Sequence, residues 1–191
     1  MASPPFDASK AVTFDLSRGE IRKDDDERRV LISARAVAAL CQAAGADATS
    51  RFGQTLGESI GAAIATRFER SAGDARGASI ESIVEHLAGE LAVAGLGTVS
   101  IERWGRALVL VVDHASADGD KVLAPLLGAM VSRAAKVQAR CVRLSREGDR
   151  ARFLVAGEVG AGKVRDWLSA GVPWGEALVR LHPTSRPEGQ P

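Results

Sequence analysis

Tyrosine is absent from this chain, and aromatic residues of every kind make up 4% of it. A single-stranded nucleic-acid platform stacks bases on exposed rings, so that class is excluded. Neither sign of charge is in excess. The formal net charge is +1, and no strong global field draws phosphate or an acidic membrane surface. Cysteine is limited to Cys41 and Cys141, far apart, which excludes a disulfide framework and fits a reducing compartment. Long uncharged apolar runs are missing, so no membrane-spanning helix is predicted. The start, MASPPFDASK, lacks a basic region followed by an apolar one, and a cytoplasmic location is expected. What remains is ample apolar material, 46% of 191 residues, mostly Ala, Val and Leu. That suits one folded domain with tails.

The most ordered pattern lies in residues 52–68. Phe52, Leu56, Ile60, Ile64 and Phe68 recur every fourth residue, and Gly53, Gly57 and Gly61 keep the same step one position later. Residues four apart on a helix lie nearly above one another. The pattern therefore predicts a large apolar ridge beside a bare groove. Each glycine inside a helix costs about 1 kcal/mol against alanine, so three in one row imply that another backbone passes close. That backbone belongs either to this chain or to a second subunit across a dimer seam.

Around this helix the chain reads in order. Residues 1–29 are a lead with a short strand at 11–16, or a hairpin, and a charged run at 22–29 that reads as a solvated loop. Ser33 caps a helix with Val37 and Leu40. Residues 71–78 form a loop, and Ser79 caps a helix whose apolar face holds Ile80, Ile83, Val84, Leu87 and Leu91. The period then becomes extended. Residues 98–103 and 107–113 predict one hairpin, and 139–145 with 151–155 a second. Between them a helix starts at Asp118 or Asp120 and runs to Lys136, with Leu126 and Met130 turned inward. Residues 158–191 are read as a C-terminal extension with two short helices and a disordered end. The expected fold is α+β: a twisted antiparallel sheet of about four strands with helices on one face.

Candidate chemistry is thin. Asp24-Asp25-Asp26-Glu27 lacks the spacing of a calcium loop. Gly157-Glu158-Val159-Gly160-Ala161-Gly162-Lys163 matches the start of a phosphate-binding loop, but Val164 stands where Ser or Thr would hold magnesium. A Gly-rich connector is the better reading. His86 reads as a surface or boundary residue. His114 follows Asp113, and neighbours on a strand point to opposite faces. Cys41 and Cys141 read as buried, with Arg140 and Arg143 a weak hint of a reactive thiol at Cys141. The arginines near the second hairpin make a solvated surface or a patch for an acidic partner. No catalytic set, metal or cofactor is expected, and the domain is read as non-enzymatic.

Three segments carry a family resemblance: GQTLGESIGAAIATRF (53–68), LAVAGLGTVSIERWGRALVLVVDHAS (91–116) and VLAPLLGAMVSRAAKVQARCVRLSREGDRARFLVAG (122–157). In that order they resemble the vinyl-reductase-type domain of bacteria and the small subunits of the TRAPP vesicle-tethering particle. The resemblance covers residues 30–157, taken as the domain. Departures are plain. The family's Cys-x-Phe ending is Ala151-Arg152-Phe153 here, so its metal site is not carried over. The loop at 71–79 has no cysteine to take a lipid. The resemblance implies an interaction module, a homodimer or a partner in a heteromeric assembly. The other implied function is a sensor or carrier of a small apolar ligand (aromatic, lipid or tetrapyrrole) in a helix–sheet pocket. Candidate lining residues are Leu56, Ile60, Leu87, Leu91, Leu126 and Met130.

Overall fold

The structure, a computed structural model, describes residues 6–23, 28–72, 79–115 and 119–182. The acidic run at 24–27, the loop centre at 73–78 and the tail from 183 lie outside these residues, as does the alternative helix start at Asp118.

Five apolar residues in succession, 108–112, form the middle of strand β5 (Ala107–Asp113). Such a run suits a strand covered on both faces, and β5 is covered on both. It pairs antiparallel with β4 (Thr98–Trp104), Val99 opposite Val112. On its other side lies β7 (Arg150–Ala156), Phe153 opposite Leu110. β6 (Arg140–Glu147) pairs with β7 at the edge, giving the order β4-β5-β7-β6. Each hairpin closes through a two-residue loop that begins with a glycine, Gly105 at φ +60° and Gly148 at φ +62°. Positive φ at the first loop position alone is the turn that follows the strand twist, and glycine adopts it without strain.

Alternation along the strands sorts the core into two layers. Leu110, Val112, Phe153 and Cys141 face the front, where α3 (Ala46–Ala72), α4 (Ile80–Val93) and α5 (Asp120–Ala135) pack. Val109, Val111, Val142, Leu144 and Leu154 face the back. There they meet α6 (Glu158–Ser169) and α7 (Trp174–Leu181) through Ala161, Val164, Ala177 and Leu178. The expected single helical face is therefore corrected: helices cover both faces. The Gly-rich connector is corrected too, since residues 158–169 are helical. Gly160 and Gly162 weaken that helix by about 1 kcal/mol each against alanine. Complete burial of Ala161 and Val164 offsets the loss, because apolar area leaves water.

The N-terminal part holds α1 (Ala8–Ala11) and a small sheet in the order β1-β2-β3, formed by Val12–Asp15, Glu20–Lys23 and Arg28–Arg29. Strand β2 corrects the solvated-loop reading of the charged run from Arg22. Charged side chains give this strand no apolar alternation, and Lys23 is buried by docking onto α4 rather than by its own hydropathy. Helix α2 (Ala34–Ala44) starts at Ser33, whose hydroxyl accepts from the Ala36 N–H at 3.2 Å. It buries no residue fully, and Leu40 is exposed.

The glycine row of α3 meets the backbone of α5 in the same chain. A Cβ on Gly53 would lie 2.5 Å from the Val122 carbonyl oxygen, and one on Gly61 would lie 2.6 Å from that of Met130. On Gly57 it would overlap the Leu126 carbonyl. Steps of four on α3 thus face steps of four on α5, and the groove is filled inside the subunit.

Candidate ligand-binding site

Helix α4 begins with a capping hydroxyl: Ser79 Oγ accepts from the Ser82 N–H at 3.1 Å. From there the step of three and four puts Ile83, His86, Leu87, Glu90 and Leu91 on the buried face. That face looks across to α3 and α5. Ile60, Leu87, Leu91, Leu126 and Met130 are buried in one front-layer cluster, and Leu56 is half-buried against it. The six candidate lining residues are thereby gathered in one core. Ile64, Phe68, Leu123 and Phe153 complete their surroundings.

His86 is 3% exposed, which corrects its reading as a surface histidine. Its ring lies 4.9 Å from the Phe68 ring centroid and 6.1 Å from that of Phe6. Nδ1 is 3.2 Å from the Ser82 carbonyl oxygen. A carbonyl only accepts, so Nδ1 carries a hydrogen, and in the neutral tautomer Nε2 is the acceptor. Nε2 has no hydrogen-bond partner among the described residues. The arrangement sets a ring nitrogen of a buried residue beside two aromatic rings, able to receive a hydroxyl hydrogen. Its signal was present in the sequence, because 83, 86, 87 and 90 share one helical face.

One turn further, Glu90 is 2% exposed. Its carboxylate holds Lys23 Nζ at 2.6 Å and an Arg67 guanidinium nitrogen at 2.6 Å. The Phe6 ring lies over Arg67, 5.4 Å from guanidinium carbon to centroid. These contacts fasten the N-terminal sheet across α3 and α4. Lys23 gave no signal in the sequence, since its burial depends on that docking.

The remaining candidates are dispersed. Burial pushes the Cys141 thiol up to about 12, so the flanking arginines do not make it a nucleophile. Cys41 is half-buried against the front core. His114 is an exposed turn residue at φ +60°, with Nδ1 3.1 Å from Asp149. His182 caps the end of α7. Most of the arginines near the second hairpin have partners in the chain. Arg150 reaches Asp113 at 2.9 Å, Arg152 reaches Glu147 at 3.0 Å, and Arg146 and Arg143 converge on buried Asp120. Among the described residues no group of three or more His, Cys, Asp or Glu gathers to hold a metal. None of the described helices is long and apolar enough to cross a membrane.

No family model matches the chain, and no curated protein matches it by sequence. Its fold is similar to the crystal structure of the phenol-responsive sensory domain of the transcription activator PoxR, solved with phenol. The likeness covers 93% of this chain and 94% of that one, with a TM-score of 0.59 and 14% identity. Such identity shows a shared fold. It also corrects the resemblance to the vinyl-reductase-type domain and to TRAPP small subunits. That resemblance rested on the order of helices and hairpins, with no site residue to separate one α+β architecture from another.

Proposed function

We propose that this domain binds a small, largely apolar aromatic compound bearing a hydroxyl, and acts as a non-catalytic sensor. The observation that supports it most is the fold shared along nearly the whole chain with a phenol-responsive sensory domain. The chain's own chemistry agrees. The layer between α3, α4, α5 and the sheet is apolar, and His86 offers it one acceptor with no partner among the described residues. Pockets for such ligands are mostly apolar with few placed polar groups. A phenolic hydroxyl would donate to Nε2 while its ring lies near Phe68. The interaction-module reading loses its main support, because α5 of the same chain occupies the glycine groove.

Calorimetric titration and thermal melting with phenol and methylphenols test the proposal. A ligand at a hundred times its Kd raises stability by about 2.7 kcal/mol. In His86→Phe, which keeps a ring in place, phenol should bind at least about tenfold more weakly, the loss of one buried hydrogen bond. Toluene should bind both proteins alike. No heat and no melting shift with any phenol would overturn the proposal.

A further inference from the structure

At the opposite edge of the sheet from α4, the edge strand β6 lies at the base of a cleft of about 660 Å³. α5, with α3 beside it, forms one wall, and α6 forms the other. The cleft exists because α5 and α6 cover opposite faces and diverge past the last strand. The α5 wall is built from small residues, Ala124, Gly128 and Ala129, with Pro125 among them. A Cβ on Gly128 would sit 3.1 Å from the Cys141 nitrogen, so α5 rests on the β6 backbone and leaves the space outside it open.

The cleft carries apolar and polar side chains together. Val142 from the strand, Leu168 from α6 and the small α5 side chains are its apolar part, and Ser50, Gln54 and Ser169 add neutral polar groups. Its rim carries three guanidinium groups, Arg140, Arg143 and Arg165, against a single carboxylate, Glu158. Glu158 lies 2.5 Å from Arg140, and Arg143 reaches Asp120 at 2.9 Å. Arg165 has no ion-pair partner among the described residues. Among the described residues, one cationic fork is therefore without a counter-charge beside the apolar side chains of the cleft. The volume falls within the range of small-molecule sites, roughly 300–1,000 Å³.

We infer that this cleft is a second binding site, for an amphipathic monocarboxylate such as an aromatic or medium-chain aliphatic acid. The planar guanidinium matches the two oxygens of a carboxylate and forms paired, charge-assisted hydrogen bonds. The apolar body of the acid then covers Ala129, Pro125 and Leu168. A cationic compound is repelled by the rim, and a neutral phenol leaves Arg165 unanswered. This site is independent of the one around His86, so the domain answers two chemical classes through two places.

Titration of the full chain with benzoate and octanoate, and with phenol as the counter-probe, tests the inference. Both acids should bind, with affinity that falls as salt rises, because a half-open ion pair is screened. Arg165→Glu should weaken the acids by at least about tenfold, the loss of a charge-assisted pair. Ala129→Trp, which fills the cleft, should abolish acid binding. Phenol heats should be the same in wild type and both variants. If Ala129→Trp does not fold, Arg165→Glu still decides, because its side chain is exposed. Absence of acid binding in the wild type, acid binding unaltered by Arg165→Glu, or displacement of acid by phenol would each overturn the second site. A failure of phenol alone to bind would overturn the proposed function and leave the acid result standing.

Discussion

Glu90 carries two cations on one buried carboxylate, Lys23 from the N-terminal sheet and Arg67 from α3. Removing one charge from a buried network costs far more than the network contributes against an apolar replacement, because the remaining charges stay desolvated. Glu90→Gln should therefore lower unfolding free energy by about 3–5 kcal/mol in urea denaturation. A loss within about 0.5 kcal/mol, typical of a surface change, would mean that the N-terminal sheet does not dock on α4. Cys141 sets a different, pH-dependent term. Its thiol is raised by burial to about 12 from an ordinary 9.0. The folded form holds the proton where the unfolded chain releases it. Its contribution is thus fully present below pH 9 and is lost as pH rises through 12. Cys141→Ala should flatten the alkaline fall of the melting temperature in this window. Thiol reagents at neutral pH should label Cys41 and leave Cys141 untouched until the protein unfolds. Early labelling of Cys141 would contradict its burial.

At the scale of elements, the α3–α5 seam explains why three glycines are placed where each weakens a helix. Intrinsic propensity alone makes Gly57→Leu stabilising. The seam makes it the reverse, because a Cβ at 57 overlaps the Leu126 carbonyl and backbone cannot step aside cheaply. Gly57→Leu should lower stability by about 3 kcal/mol or more, as overpacking does. Glu58→Leu, on the exposed side where Glu58 bonds Gln54 at 2.8 Å, should change it by less than about 0.5 kcal/mol. Melting of Gly57→Leu at or above the wild-type midpoint would remove the seam. This periodicity was legible from spacing, but its partner was not. Steps of four at 122, 126 and 130 are ordinary helix spacing, and nothing in them marks α5 as the backbone that fills the groove. Helix α6 shows the converse. Its glycines read locally as a connector, and only the back face of the sheet supplies the apolar surface that holds it helical.

For the whole molecule, the two helical layers make the last described residues part of the core. A chain ending after Ala156 would expose Val109, Val111, Val142, Leu144 and Leu154 on the back of the sheet. It should melt without a cooperative transition and aggregate, since so large an apolar patch does not stay in water. Cooperative melting near the full-length midpoint would make residues 158–191 a separable extension. The chain by itself determined the strands and hairpins of the four-stranded sheet and most helix starts. These depend on neighbours in sequence: a continuous apolar run for β5, capping serines for α2 and α4, glycines with positive φ for the turns. It also determined which residues are apolar enough to form one front core. Tertiary structure alone decided that α6 and α7 cover the second face, that Lys23 is buried on Glu90, and that α5 fills the glycine groove. It also enclosed His86 between two phenylalanine rings. Each of these requires contact between segments distant in the chain, and local propensity carries no term for a partner that only folding brings near.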